Sequence, residues 1–121
     1  MFMKNENLFE RPWGTYFNAL EEPGYKIKKI LVNPGARLSL QSHEHRSEHW
    51  VVVQGKALVT LDDKELPKER DEYIYIPKGS VHRLQNVGTD NLILVEVQLG
   101  NYLGEDDIKR YQDDYNRMSD K

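Results

Sequence analysis

The chain has 121 residues, a formal net charge of −3, a hydrophobic fraction of 38% and no cysteine. This length suits one domain over residues 1–121. The net charge gives no general attraction to nucleic acid or anionic membranes. The lack of cysteine excludes disulfides and thiol nucleophiles. No apolar run approaches the roughly 20 residues of a membrane span, and the polar N-terminal segment lacks the apolar core of a secretory signal, so we expect a cytoplasmic protein.

Short segments rich in β-branched and aromatic residues predict β-strands along most of the chain. In chain order they are Tyr25–Val32, Ala36–Ser42, His49–Gln54, Lys56–Leu61, Glu72–Ile76, His82–Asn86 and Asn91–Leu99. Glycine, proline, asparagine and aspartate separate them, as at residues 33–35 and 77–79, and these residues favour turns. The pattern predicts an all-β fold, a sandwich or barrel of two antiparallel sheets.

The C-terminal segment shows a different pattern. Residues 105–107 are acidic, which suits the first turn of a helix because the helix dipole favours negative charge there. Ile108, Tyr111 and Tyr115 then recur on one helical face. We therefore predict one short amphipathic helix over Glu105–Arg117, packed as a cap on the barrel.

The histidines concentrate in two short segments, with His43, His45 and His49 in the first and His82 in the second. Histidine is the commonest metal-binding side chain. Because side chains alternate along a strand, Gln41, His43 and His45 are expected on one face, and Glu48 on the face opposite to that of His49. This grouping predicts a metal site.

The spacing of these residues resembles the two sequence motifs of the cupin superfamily. Gly35, Gln41, His43, Glu48 and Gly55 match the first motif, with Gln41 in place of its usual first histidine. Pro77, Gly79, His82 and Asn86 match the second motif, while Asp71 stands where that motif opens with a glycine. The resemblance implies a ligand set of Gln41, His43, Glu48 and His82, with His45 in reserve.

One amide oxygen, two imidazoles and one carboxylate form a borderline-hard donor set. We expect it to bind one divalent ion, zinc first, with manganese, cobalt, nickel and iron as alternatives. A cupin that has lost its metal and keeps these residues as a polar pocket is the competing interpretation.

Longer segments resemble one cupin family more closely. Arg11–Tyr16, Asn33–Asp62, Tyr75–Asn86 and Glu96–Tyr115 are similar to the cupin domain of type II phosphomannose isomerases, which usually follows a guanylyltransferase domain. The resemblance implies a cupin-type jelly roll that interconverts mannose 6-phosphate and fructose 6-phosphate through an enediol. Its partner would be a small-molecule sugar phosphate, with no nucleic acid or membrane. These 121 residues contain no Gly-rich phosphate loop followed by Lys or Arg, so we expect no guanylyltransferase activity from them.

This reaction needs a base for the carbon-bound proton and a cation for the substrate phosphate. Alternation makes His45 the first candidate for the base, beside His43, and Glu96 the second. Arg37 shares the predicted face of His43 and is the candidate for the phosphate. Arg46, Arg83 and Lys78 lie near the motifs with less certain directions, and Arg110 on the predicted helix is placed to close over the pocket.

Two other functions fit the same motifs. A non-catalytic cupin would bind a sugar or sugar phosphate and report it to a partner, and another cupin would use the metal for dioxygenation or a different epimerisation. Fold alone does not choose between them, but the resemblance through the ligand strands and residues 102–107 favours the isomerase.

Apolar side chains on both faces of several predicted strands indicate an interface between subunits. Leu38 and Leu40 oppose the proposed ligands, while Ile93, Val95 and Val97 oppose Glu96 and Gln98. A lone barrel would leave part of this surface in water, and a second subunit would cover it. We expect a homodimer, which the resemblance also implies.

Overall fold

A computed structural model of the chain describes residues 7–117, which form eleven strands and no α-helix. The strands are β1 (Leu8–Arg11), β2 (Gly14–Glu22), β3 (Tyr25–Val32), β4 (Leu40–Ser42), β5 (Arg46–Gln54), β6 (Ala57–Leu61), β7 (Lys64–Lys68), β8 (Tyr73–Ile76), β9 (His82–Asn86), β10 (Leu92–Gly100) and β11 (Lys109–Gln112). Residues 1–6, on which the expectation about a secretory signal partly rests, lie outside the described range. No helix within residues 7–117 is long and apolar enough to cross a membrane.

The strands pair antiparallel into two sheets. One sheet has the strand order β1-β2-β3-β10-β5-β8 and the other β11-β4-β9-β6-β7. The predicted all-β architecture of two antiparallel sheets is confirmed.

Alternation along the strands places the core between the sheets. Every second side chain of β3 and of β10 points inward and is buried. At one end of the barrel these inward side chains are apolar, as at Val32, Leu92 and Leu94, each 0% exposed. Burial of such side chains is the main favourable term in folding, so this end supplies the packed core.

At the other end of the barrel the inward side chains of the same two strands are polar. Lys28 lies directly across from Glu96, and Lys26 directly across from Gln98. All four are buried. Burying polar and charged groups is costly unless they find partners, so this polar end is organised for a site and not for packing.

The predicted C-terminal helix over Glu105–Arg117 is wrong. The segment contains β11, which forms the edge of the five-stranded sheet, pairs with the short strand β4 and matches Arg110 to Gln41. The carboxylate of Asp107 accepts hydrogen bonds from the backbone N–H groups of Glu44 and His45 at 3.0 and 2.9 Å. Pairing with an edge that would otherwise be open outweighs a weak helical periodicity, and Asp107 ties the segment to the loop after β4.

Two turns carry aspartate where glycine is common. Asp71, at the position of the missing motif glycine, has φ 76°, and Asp62, in the turn between β6 and β7, has φ 54°. Both values lie in the left-handed region, which aspartate adopts more readily than most residues. The turn at Asp71 is therefore kept without the glycine.

Candidate metal centre

A cavity lies between the two sheets at the polar end of the barrel. Gln41 of β4, Glu48 of β5, His82 of β9 and Glu96 of β10 line it, together with His43 from the loop after β4. The register explains part of this arrangement, since Gln41 pairs directly with His82. Residues that are far apart in the sequence thus meet in one cavity.

Three of these residues offer metal-ligand atoms close to one another. Each of His43, Glu48 and His82 offers one ligand atom, and these three atoms all lie within 4.8 Å of one another. The three residues are 4%, 2% and 3% exposed. A buried cluster of two imidazoles and one carboxylate is suited to hold a divalent cation.

Backbone carbonyl groups orient both imidazoles. Nδ1 of His43 donates to the carbonyl oxygen of Asp107 at 2.6 Å, and Nδ1 of His82 donates to that of Ser80 at 3.0 Å. Because a carbonyl oxygen only accepts hydrogen bonds, each Nδ1 carries the proton and each Nε2 keeps a lone pair. Hydrogen bonds of this kind commonly orient histidine ligands in metal sites.

Burial keeps both rings neutral. Burial, with further contributions from Arg46 and His82, lowers the pKa of His43 from 6.5 to about 3. Burial also lowers the pKa of His82. Both imidazoles are therefore in the protonation state that a metal ligand needs.

The pKa values of the two buried carboxyl groups are shifted in opposite directions, with that of Glu48 lowered and that of Glu96 raised. Burial alone would raise the pKa of Glu48, but a hydrogen bond with Glu96 and the charge of Arg46 lower it, so Glu48 is ionised. Burial and then the charge of Glu48 raise the pKa of Glu96 from 4.5 to about 8. The indole N–H of Trp50 donates to Glu48 at 2.9 Å and to Glu96 at 3.3 Å, so it bridges the pair.

The donor set fits a divalent ion. Two Nε2 lone pairs and one carboxylate are present in the right protonation states, and Gln41, which has an amide oxygen, lines the same cavity. Nε2 of Gln41 donates to the hydroxyl and the carbonyl oxygen of Ser39 at 2.9 and 3.3 Å, which fixes the orientation of its amide. Gln41, His43, Glu48 and His82 are the residues that would hold the ion.

Arg37 does not line the cavity. Its guanidinium donates two hydrogen bonds to Asp114 at 2.7 and 2.9 Å, and its side chain is 36% exposed. The prediction assumed one strand from residue 37 to residue 45, but β4 begins only at Leu40. Leu38 and Ser39 both line the cavity, which strict alternation does not allow.

His45 also lies apart from the cavity, which corrects its predicted placement beside His43. It follows the end of β4, and its ring packs edge-on against Tyr102 with 5.9 Å between the ring centres. His45 and Tyr102 line a second pocket together with Asp106. Of the two predicted base candidates, only Glu96 lines the cavity that holds the predicted metal ligands.

Two buried cations lie in the cavity wall: Lys28, which the sequence analysis does not single out, and Arg46, which it places near the motifs without a certain direction. Arg46 and Lys28 line the cavity and are 6% and 4% exposed. Nζ of Lys28 lies 2.6 Å from the Glu105 carboxylate and 4.1 Å from the centre of the Tyr16 ring. Arg46 is two residues before Glu48, so alternation would have placed it inward if the strand had been started at residue 46 and not 49.

Further cationic side chains line the cavity from the N- and C-terminal segments. They are Arg11, Arg110 and Arg117. Arg110 reaches the pocket as predicted, although from a strand and not from a helix. Arg117 forms an ion pair with Asp113 at 2.8 Å, whereas Arg11 donates to the Tyr16 hydroxyl at 3.2 Å and to the Glu10 carbonyl oxygen at 2.8 Å.

The sequence is similar to known proteins over nearly its whole length. Residues 2–113 match the family described as Mannose-6-phosphate isomerase C-terminal. The chain is 52% identical over 110 residues to Alginate biosynthesis protein AlgA of Pseudomonas aeruginosa, which covers 91% of this chain and 23% of that protein. It is 50% identical over 105 residues to Mannose-1-phosphate guanylyltransferase 2 of Escherichia coli O157:H7, which covers 87% of this chain and 22% of that protein.

The fold has solved relatives as well. A protein with a double-stranded beta-helix domain from Klebsiella pneumoniae superposes with a TM-score of 0.75 at 18% identity, covering 93% of this chain and 96% of that one. At this identity the likeness shows the fold alone. The chain spans less than a quarter of the length of the two curated relatives named above. With its cupin fold and its match over residues 2–113, the chain belongs to the mannose-6-phosphate isomerase C-terminal family.

Proposed function

We propose that this domain is a metal-dependent isomerase that interconverts mannose 6-phosphate and fructose 6-phosphate. The observation that carries the proposal is the placement of Glu96, a carboxyl group with a pKa near 8, in one cavity with the metal-ligand cluster. Membership of a family of sugar-metabolism enzymes supports the choice of substrate.

In the direction from aldose to ketose, the reaction moves one proton from C2 to C1 of the sugar and a second proton from the C2 hydroxyl to the C1 oxygen. A divalent ion held by Gln41, His43, Glu48 and His82 would supply a Lewis acid that polarises the substrate carbonyl group and stabilises the enediolate. The chain itself would supply a proton carrier and a contact for the phosphate.

Glu96 is the proposed proton carrier. A group that takes up a proton and then returns it works best when its pKa lies near the working pH, because both forms are then populated. As a carboxylate, Glu96 would take the proton from C2 of the aldose and return it to C1. Trp50, which donates to both Glu48 and Glu96, holds the carboxyl group in position between these two steps.

Arginines that line the cavity are the proposed contacts of the phosphate group. A guanidinium suits this role because it can donate two parallel hydrogen bonds to phosphate oxygens. Arg11 donates to two neutral oxygens, a hydroxyl and a carbonyl, so neither of these bonds neutralises its charge. We assign the phosphate to Arg11 and Arg110, in place of Arg37.

A coupled assay for fructose 6-phosphate formed from mannose 6-phosphate tests the proposed function. The protein is first stripped with a chelator and then reloaded with zinc, manganese, cobalt or nickel. We expect turnover to vanish with the chelator and return with one or more of the ions. Metal binding without turnover of mannose 6-phosphate would refute the isomerase and leave a sugar-binding cupin.

We also propose that the domain forms a homodimer through the outer face of the six-stranded sheet. This face exposes apolar and aromatic side chains of β5, β8 and β10, which are Val51, Val53, Tyr73, Tyr75 and Leu99, each between 41% and 51% exposed. A contiguous apolar surface of this kind is unusual on a monomer. Light scattering after size exclusion should give twice the mass of the chain, and a monomer at micromolar concentration would refute the dimer.

A further inference from the structure

Arg46 occupies a central position among the metal-ligand residues. It begins β5, and its side chain is 6% exposed. Nε of Arg46 donates to Oε2 of Glu48 at 2.7 Å, and Nη2 donates to Nε2 of His43 at 3.3 Å. The guanidinium thus contacts two of the three clustered ligand residues, and supplies positive charge where a divalent ion would supply it.

The contact with His43 has a strict chemical consequence. Nδ1 of His43 carries the ring proton, which it donates to Asp107, so Nε2 has a single lone pair. That lone pair accepts the hydrogen bond from Arg46. One lone pair cannot accept a hydrogen bond and coordinate a metal ion at the same time. His43 can therefore become a ligand only if Nη2 of Arg46 gives up this hydrogen bond.

The third nitrogen of the same guanidinium also lacks an acceptor. Nη1 of Arg46 is buried and has no hydrogen-bond partner among residues 7–117. A buried charged donor without a partner is costly and rare in native structures. Because Arg46 lines the cavity, an oxygen atom of a bound ligand can supply the missing acceptor.

We propose that Arg46 has two successive roles at this site. In the empty site it competes with the metal ion for the lone pair of His43 and compensates the charge of Glu48. In the loaded site the N–H groups that no longer face His43 join Nη1 in binding oxygen atoms of the sugar phosphate. The inference rests on the metal centre of the proposed function, but not on the isomerisation itself.

Arg46→Met tests the first role, because methionine retains length and flexibility but has neither charge nor N–H donors. Cobalt affinity is measured from the visible absorbance of bound Co²⁺, and zinc affinity by competition with a chromogenic chelator. Loss of one charge-assisted hydrogen bond to a ligand should tighten metal binding about tenfold. Arg46→Lys keeps the charge without the planar fork, and we expect an intermediate affinity.

Arg83→Met is the matched control. Arg83 is also 6% exposed and donates to the carbonyl oxygen of Leu38 at 2.9 Å and to Gln112, but it does not line the cavity. Its metal affinity should stay within about twofold of wild type, since no ligand atom loses a competitor. If both methionine variants tighten metal binding equally, a general loss of positive charge explains the effect and the proposal fails.

The second role predicts that Arg46→Met weakens the binding of a sugar-phosphate analogue, whereas the first role predicts that it tightens metal binding. Glucitol 6-phosphate, a polyol phosphate with no carbonyl group to isomerise, is titrated calorimetrically into the metal-loaded proteins. Arg46→Met should bind it about tenfold more weakly, because donors to its oxygen atoms are lost. Damage to the fold would weaken metal and polyol binding together, so tighter metal with weaker polyol binding is specific to the proposal.

The remaining outcomes are equally decisive. Unchanged or weaker metal binding by a folded Arg46→Met or Arg46→Lys protein would show that Arg46 supports the ligands, which overturns the competition. Tighter metal binding with unchanged polyol affinity would overturn the second role. All readouts are equilibrium affinities, so a domain without isomerase turnover would still show these shifts, and the proposed function can fail separately.

Discussion

Replacing Glu96 by glutamine should change how the stability of the metal-free domain depends on pH. The pKa of Glu96 is about 8 in the folded protein against 4.5 for a free side chain. Between these values the folded protein binds one more proton at this site than the unfolded chain, so this group lowers stability as pH rises. Glutamine resembles the neutral acid and does not titrate. The unfolding free energy of the variant therefore does not fall with rising pH on account of this residue.

The expected size follows from the pKa difference. Each pH unit between the two pKa values costs about 1.4 kcal/mol, and the slope is slightly smaller near pH 5, where titration of the unfolded chain is incomplete. From pH 5 to pH 7 the unfolding free energy of Glu96→Gln should therefore gain about 2.5 kcal/mol relative to wild type. No discount for solvent screening applies, since Glu96 is 3% exposed.

Urea denaturation at pH 5, 6, 7 and 8 in the presence of a chelator measures this difference, with the fluorescence of the buried Trp13 and Trp50 as the probe. Groups distant from Glu96 contribute equally to both proteins and cancel in the comparison. His43 and Glu48 interact with Glu96, but in the folded protein the first stays neutral and the second ionised from pH 5 to 8, because both of their pKa values are lowered. Parallel stability profiles for wild type and Glu96→Gln would refute the raised pKa and remove the main support for Glu96 as the proton carrier.

Glu105→Gln is a matched control from the same cavity. Burial would raise the pKa of Glu105, but the charge of Lys28 and its hydrogen bond lower it below 4.5, so the group is ionised throughout pH 5 to 8. Its substitution should shift the unfolding free energy by the same amount at every pH in this range. A pH-dependent shift in this variant would show that the method does not isolate Glu96.

Other predictions concern the ligands, the phosphate contact and the dimer. His82→Ala should weaken zinc binding by at least about 100-fold in chelator competition and should abolish turnover as well. The control variant His49→Ala, on the outer face of the sheet, should change neither zinc binding nor turnover. Full metal occupancy in His82→Ala would remove His82 from the ligand set. Arg11→Ala should raise the KM for mannose 6-phosphate about tenfold with metal still bound, because a charge-assisted hydrogen bond to the phosphate is lost. Arg37→Ala should leave KM within about twofold, since Arg37 pairs with Asp114 outside the cavity, and a reversed order of the two arginines would restore the assignment to Arg37. Val51→Lys should convert the dimer into a monomer in light scattering by burying a charge in the interface, and an unchanged mass would exclude this face.

The resemblance to the cupin motifs was enough to bring His43, Glu48 and His82 into one cluster, and strand alternation was enough to predict the inward direction of Glu96. The predicted ligand residues lie in β4, β5 and β9 or directly after β4, where motif spacing and neighbouring strands fix their positions. Glu96 lies inside β10, a long regular strand, so the alternation rule applied without interruption. The fold followed from the same regularity of short strands and turns.

The errors arose where a strand ended or where its partner was distant in the sequence. Arg37 and His45 were placed by alternation across residues that do not form one strand, because β4 has only three residues. The direction of Arg46 stayed uncertain because the predicted strand starts at His49, three residues after the true start of β5. The strand β11 depends on pairing with β4, some 70 residues earlier in the chain, and helical periodicity in a short segment carries no information about such a partner.

The charges at the polar end of the barrel explain how the fold accommodates the site. Glu48 and Glu96 share the Trp50 donor, and two carboxylates in a buried site cannot both be ionised without compensation. Arg46 bonds to Glu48, while Lys28 lies across from Glu96 in the strand register and bonds to Glu105. One carboxylate is thus neutralised by an arginine and the other is kept as the neutral acid. Arg46 also donates to the lone pair of His43, so a metal ion bound to His43 would require this second hydrogen bond to break, while the bond from Nε of Arg46 to Glu48 is a separate contact.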